Sequence, residues 1–141
     1  MTPKYSRRTL ATLLPAIAAA LRAGDDKHLP SKFYLFSDLP SKTTPASTSH
    51  AVLDGETHAG FPIEIHITEL DAGQSPHAPH RHVHEEVMFL QAGLLDATVN
   101  GETRRLNPGS VFYVDSNDLH GLYNPGPGRA EYIVVALGPK S

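Results

Sequence analysis

From Phe61 to Leu70 the chain reads Phe-Pro-Ile-Glu-Ile-His-Ile-Thr-Glu-Leu, with apolar and polar residues alternating over most of its length. Period-two alternation fits a half-buried strand and not a helix, whose apolar residues recur every three or four positions. The same grammar continues downstream. Strand-like segments at residues 86–91, 95–99, 102–106, 110–114, 119–123 and 131–137 are separated by turn signals. These signals are the Gly-, Pro- and His-rich stretch 71–79, the pair Asn100-Gly101 and the triplet Asn107-Pro108-Gly109. Asn-Gly is favoured in two-residue hairpin turns because both residues tolerate positive φ. Seven or more short strands at this spacing predict an all-β sandwich or barrel. Twelve Pro and eleven Gly in 141 residues point the same way, towards many turns and few long helices.

A chain of this length predicts one domain with one hydrophobic core. Residues 1–23 have a different composition: a basic start (Lys4, Arg7, Arg8), an apolar run from Leu10 to Leu21, and the small residues Ala18 to Ala20. Ser6-Arg7-Arg8-Thr9-Leu10 resembles a twin-arginine export signal, which would place the protein in the periplasm. An N-terminal helix on a cytoplasmic protein is the alternative reading. Residues 24–50, broken by Pro30, Pro40 and Pro45, read as an extended arm or linker. Phe33 to Phe36 is its candidate edge strand, pairing with another subunit or folding back on its own sheet. The barrel is expected over residues 51–139.

The net charge of −3, with the twelve Lys and Arg scattered, offers no basic field for a nucleic-acid backbone. Cysteine is absent, which excludes disulfides and thiolate ligands. No stretch reaches the roughly 18 apolar residues that a membrane-spanning helix requires.

Chemistry concentrates in Pro79-His80-Arg81-His82-Val83-His84-Glu85-Glu86, with three imidazoles and two carboxylates in eight residues. In extended backbone His80, His82, His84 and Glu86 share a face, whereas Arg81, Val83 and Glu85 point away. Imidazole and carboxylate suit a first-row divalent ion.

His80-x-His82, three residues, Glu86, six residues and Gly93 resemble the first motif of the cupin superfamily. Gly109, His120 and Asn124 stand at the spacings of that family's second motif, with Asp115 and Asn117 at turn positions usually held by Pro and Gly. Gly73 lies one residue further from His80 than the pattern has it. The resemblance covers about residues 60–137. It implies a small antiparallel jelly-roll β barrel with an N-terminal extension, holding one divalent transition metal ion (Mn, Fe, Ni, Zn, Cu or Co) on His80, His82, Glu86 and His120. It also implies a homodimer. Three His and one Glu leave two of six octahedral positions open to a small-molecule ligand; a closed, tetrahedral structural zinc on the same four residues is the alternative.

Around that set, His84 keeps the parity of the ligands without being one in the family pattern, and reads as a solvent-facing or supporting residue. His66, on the polar face of its strand, faces solvent or the pocket. His77 is an exposed loop residue or part of the pocket entrance. Met88, Phe112 and Tyr123 lie in or beside ligand-bearing strands, as barrel core or pocket wall. Asn124 is expected to pin a turn. Two functions fit: a metal-dependent enzyme of oxygenase, isomerase, decarboxylase or lyase type with Glu86 as the first candidate base, or a non-catalytic module that binds a metal or small ligand.

Overall fold

The computed structural model describes residues 28–141, so the segment read as an export signal or N-terminal helix, residues 1–23, lies outside the described residues. Nine strands follow: β1 (Ser41–Thr43), β2 (Ser47–Glu56), β3 (Pro62–Leu70), β4 (Glu85–Ala92), β5 (Leu95–Val99), β6 (Glu102–Leu106), β7 (Val111–Val114), β8 (His120–Tyr123) and β9 (Ala130–Leu137). They form two antiparallel sheets, one in the order β1-β2-β3-β9-β4-β7 and one in the order β6-β5-β8. This is the antiparallel jelly-roll barrel that the family resemblance implies, within the all-β class that the spacing of turns predicts. The Asn100-Gly101 pair makes its turn with φ of 47° and 86°, joining β5 to β6 in an unbroken register from Leu95↔Leu106 to Val99↔Glu102.

The region before the barrel departs from expectation. Phe33 to Phe36 forms no strand; Asp38 N–H donates to the Leu35 carbonyl at 2.9 Å and closes a short 3-10 turn, Phe36–Asp38. The Ser/Thr-rich stretch that reads as a linker instead supplies β1 and the start of β2. Thr and Ser side chains suit an exposed sheet edge, and the Thr43 and Thr48 hydroxyls face each other across the pair at 3.1 Å. β2 pairs along β3 from Ser47↔Leu70 to Glu56↔Pro62, so this segment folds back on its own sheet.

β3 alternates as its sequence demands, with an unexpected polarity. Leu70 is fully buried in the core, and His66 and Thr68, on the same face, turn inward. The isoleucines take the outer face. There, cross-strand rows run Ile65–Val135–Val87–Tyr113 and Ile67–Ile133–Phe89–Val111 over β3, β9, β4 and β7. Phe89, Val111 and Tyr113 in these rows are 41, 56 and 55% exposed. Inside, Leu70, Met88, Leu90, Leu95, Ala97, Val114, Leu122, Ala130, Tyr132 and Val134 form the core, with Phe112 packed against it. Each large apolar side chain there contributes about 1.5–3 kcal/mol through burial.

One buried amide locks the two sheets' connections together. The Asn124 side chain, fully buried after β8, donates to the carbonyls of Leu70 and Gly128 at 2.9 Å each and accepts from the Gly126 N–H at 2.9 Å. Asn124→Ala leaves those groups without their partner, and is expected to lower stability by about 2–4 kcal/mol in urea unfolding. A loss below about 0.5 kcal/mol would show that the amide is dispensable.

Candidate metal centre

His80, His82 and His84 enter from the segment that leads into β4, Glu86 from β4 itself and His120 from the first position of β8. Two backbone hydrogen bonds bring the ends together: His80 N–H donates to the His120 carbonyl at 3.0 Å and His120 N–H to the His80 carbonyl at 3.1 Å. The turn before β8 clamps the same loop. Asn117 has a positive φ of 61°, its N–H donates to the His82 carbonyl at 2.8 Å, and its carbonyl accepts from the Arg81 guanidinium. Asparagine tolerates this conformation better than most residues, so Asn117 can replace the expected glycine without distorting the loop. Asn100 extends the support: its side chain donates to the Asp118 carboxylate at 2.8 Å and accepts from the Leu119 N–H at 3.1 Å, one residue ahead of His120.

Backbone carbonyls then fix two imidazole tautomers. His82 Nδ1 donates to the His84 carbonyl at 2.7 Å, and His120 Nδ1 donates to the Asp118 carbonyl at 3.0 Å. In each ring Nε2 is left with its lone pair. Both Nε2 atoms are buried without a hydrogen-bond partner, as are His80 Nδ1 and His84 Nδ1. They lie around the Glu86 carboxylate, His82 Nε2 at 3.5 Å from Oε1 and His120 Nε2 at 3.4 Å from Oε2. These separations are long for direct hydrogen bonds. Buried imidazole nitrogens without hydrogen-bond partners, converging beside a carboxylate, are what a cation-binding site offers and what a packed core avoids. Donor atoms of His80, His82 and His120 lie within 4.8 Å of one another, and so do those of His82, His84 and Glu86. The cluster therefore fits a divalent transition metal ion.

The electrostatics agree. Burial by itself raises the Glu86 pKa, but the adjacent His120, His82 and His84 rings outweigh it and hold the carboxyl at about 2. Glu86 is ionised at any ordinary pH. His120 is shifted upward, chiefly by Glu86. His80 is shifted downward by burial and by His77, His120 and His82, which keeps its ring neutral.

Beside the cluster lies a cavity of about 220 Å³ that Glu86 and His120 line at one point. His66 and Met88 also line it, as the strand parity allows, and so does His77, whose ring stands edge-on to His80 at 4.2 Å. His84 is not part of this wall. It stacks on His82 at 3.7 Å and 6°, with Nε2 3.4 Å from Glu86 Oε1. Phe112 packs into the core and Tyr123 is 44% exposed; neither lines this cavity. Sequence reasoning missed Ser49, Thr68 and Tyr132, which do line it. The signal was available in β3, where a Thr two residues after His66 keeps its parity. Burial pushes the Tyr132 phenol well above its ordinary pKa, partly offset by the neighbouring Thr68, so the hydroxyl stays neutral.

The family described as Cupin domain matches residues 66–136, just over half of the chain. A curated relative, the pectin degradation protein KdgF of Dickeya dadantii (strain 3937), is 27% identical over 63 residues, 44% of this chain. The match spans 56% of that relative's length. Among solved structures, an RmlC-like cupin from Shewanella frigidimarina NCIMB 400 superposes with a TM-score of 0.67 at 18% identity, covering 79% of this chain and 95% of that one. KdgF from a Halomonas species does so at 0.63 and 20% identity, covering 76% and 94%. The polyketide cyclase RemF from Streptomyces resistomycificus reaches 0.64 at 17%, covering 77% and 80%. At these identities the structures speak for the fold.

Proposed function

The chain belongs to the cupin family, and from that premise we propose that it is a metal-dependent enzyme acting on a small oxygen-rich molecule, with one divalent transition metal ion on His80, His82, Glu86 and His120. The observation that carries this reading is the pair of tautomer-fixed, buried and unpartnered Nε2 atoms of His82 and His120 on either side of an ionised Glu86. The relative named as a pectin degradation protein supports a carbohydrate-derived ligand. A bound ion would supply Lewis acidity towards a ligand oxygen.

The chain's own residues divide the remaining work. A carboxyl held at about 2 is a weak proton acceptor near neutral pH, so Glu86 serves as ligand rather than base. His66 is the candidate acid–base group, because it lines the cavity, with its Nδ1 3.5 Å from Glu64 Oε1. Met88, Leu122 and Val134 exclude water from one side of the cavity. Oxygen consumption and product formation across diketones, hydroxy acids and sugars test the proposal. Turnover of at least one compound is expected, lost in His66→Gln while metal content is retained. Ligand-induced thermal shifts without turnover across the panel would favour the non-catalytic binding module.

Metal binding is expected to depend on pH in a definite sense. A proton on His120 competes with the ion, and this residue's pKa lies above the ordinary 6.5. Affinity measured by chelator competition from about pH 5.5 to about 8.5 should therefore keep rising through and beyond 6.5. A flat profile would contradict the assignment of His120 as a ligand.

We also propose a homodimer joined through the outer face of the six-stranded sheet. The rows of Ile, Val, Phe and Tyr that cross β3, β9, β4 and β7 carry no charge at their centre and match the face of an identical sheet. Light scattering should give twice the mass of one chain, falling to one in Phe89→Lys/Val111→Lys. A monomeric wild type would end this proposal.

A further inference from the structure

We propose that the cavity beside the metal cluster takes an uncharged, hydroxyl-bearing molecule no larger than a monosaccharide, read along one edge by a row of three hydroxyls, and that it rejects phosphorylated molecules. This rests on the metal-dependent reading above and names its ligand class.

The row is built by register. Ser49 on β2 stands directly opposite Thr68 on β3, and Thr68 directly opposite Tyr132 on β9. All three line the cavity, where Thr68 is 5% and Tyr132 2% exposed. An interior barrel face is ordinarily apolar, because a buried hydroxyl without a partner destabilises the fold. Thr68 and Tyr132 face each other across β3 and β9. Each hydroxyl carries one donor and two acceptor lone pairs that it can offer to a bound molecule. Beside the row on the same sheet stand Val134 and Met88, and Leu122 lines the cavity from the other sheet. A molecule held there meets hydroxyls along one edge, hydrocarbon on another face and the metal ligands at one end. Sugars and small hydroxy ketones have this division, with C–H faces and hydroxyl edges. The volume of about 220 Å³ sets the upper size, below the roughly 300–1,000 Å³ of pockets for drug-sized ligands.

Charge supplies the exclusion. Among the described residues no Lys or Arg lines the cavity, and Arg81, next in sequence to the histidines, is engaged with the Asn117 carbonyl. A phosphate dianion is held by guanidinium, ammonium or a helix N-terminus. The described residues offer only a three-residue 3-10 turn, which does not line the cavity. Away from the metal end, a phosphate arm would lie against hydroxyls and hydrocarbon, with no Lys or Arg to offset its lost hydration.

Isothermal titration of the metal-loaded full chain with D-xylose, D-fructose, xylose 5-phosphate and fructose 6-phosphate tests this, with metal content measured on every sample. At least one neutral sugar should saturate, and its phosphate ester should bind at least about tenfold more weakly. Thr68→Val/Tyr132→Phe should keep wild-type metal content and lose at least about tenfold in affinity for that sugar. Ser49→Ala, at the less buried end of the row, checks the result if the double variant does not fold, and should weaken the sugar without moving the metal. Equal or tighter binding of the phosphate ester overturns the proposal, as does wild-type sugar affinity in the variants or no saturation by either neutral sugar. A wild-type chain without metal that still prefers a neutral sugar to its phosphate would sink the metal reading and leave this one standing.

Discussion

His120→Ala is expected to leave the purified chain essentially metal-free, with affinity for Mn, Fe, Co, Ni, Cu or Zn lowered by more than about 100-fold. That exceeds the roughly 10- to 100-fold typical of losing a residue that only supports a ligand. The expectation follows from position. His120 is 2% exposed, its Nδ1 is held by the Asp118 carbonyl and its Nε2 faces Glu86, so no solvent-exposed residue can replace it. His82→Ala should act alike, because His82 belongs to both groups of converging donors. His84→Ala is the informative contrast. Its ring braces His82 by stacking and touches the edge of the Glu86 carboxylate, so its loss should weaken binding within the supporting range without emptying the site. Calorimetric titration of metal into the three variants gives the ranking. Equal losses in all three would make His84 a ligand, and stoichiometric metal in His82→Ala would remove the proposed set altogether.

The largest effect on stability is expected from Gly93→Ala, at about 3–5 kcal/mol. Gly93 turns the chain between β4 and β5 with a φ of 79°, a conformation that strains an L side chain. Space is also missing. A Cβ there would stand 2.6 Å from the Arg129 carbonyl oxygen and 2.7 Å from the Ala130 Cα, both backbone atoms that cannot swing aside. Strain and overpacking each cost about 1–3 kcal/mol, and here they act together. The unfolding midpoint should fall by about 10–20 °C. Gly101→Ala gives the comparison, because Gly101 also has a positive φ but nothing within 4 Å of its added Cβ. A Gly93→Ala loss no larger than that of Gly101→Ala would show that β9 can move away.

Much of this arrangement is legible in the residues, and the parts that are not have physical causes. Strands β5 and β6 follow from the pattern around Asn100-Gly101, whose turn chemistry sets both length and register. The converging His80, His82, Glu86 and His120 follow from spacing and family resemblance, since alternation fixes the face and the hairpin between them fixes the return. The β1–β2 hairpin is not legible, because Ser and Thr serve loops and exposed edges equally well and only the partner strand β3 decides. The polarity of β3 is hidden for a similar reason. Alternation identifies two faces but not which one is inside, and a polar interior is sensible only once a cavity is known to lie there. Tyr132 escapes notice because its strand, Ala130–Leu137, reads as continuous core; its role comes from facing Thr68 across the sheet.

The most direct test of the account is anomalous diffraction at the relevant metal edges from crystals of the chain purified without chelator. The account predicts one transition metal ion per chain, bonded directly to His80, His82, Glu86 and His120, with His84 outside the coordination sphere. No ion after incubation with each candidate metal, or an ion held by His82, His84 and Glu86 with His120 unbonded, would contradict it.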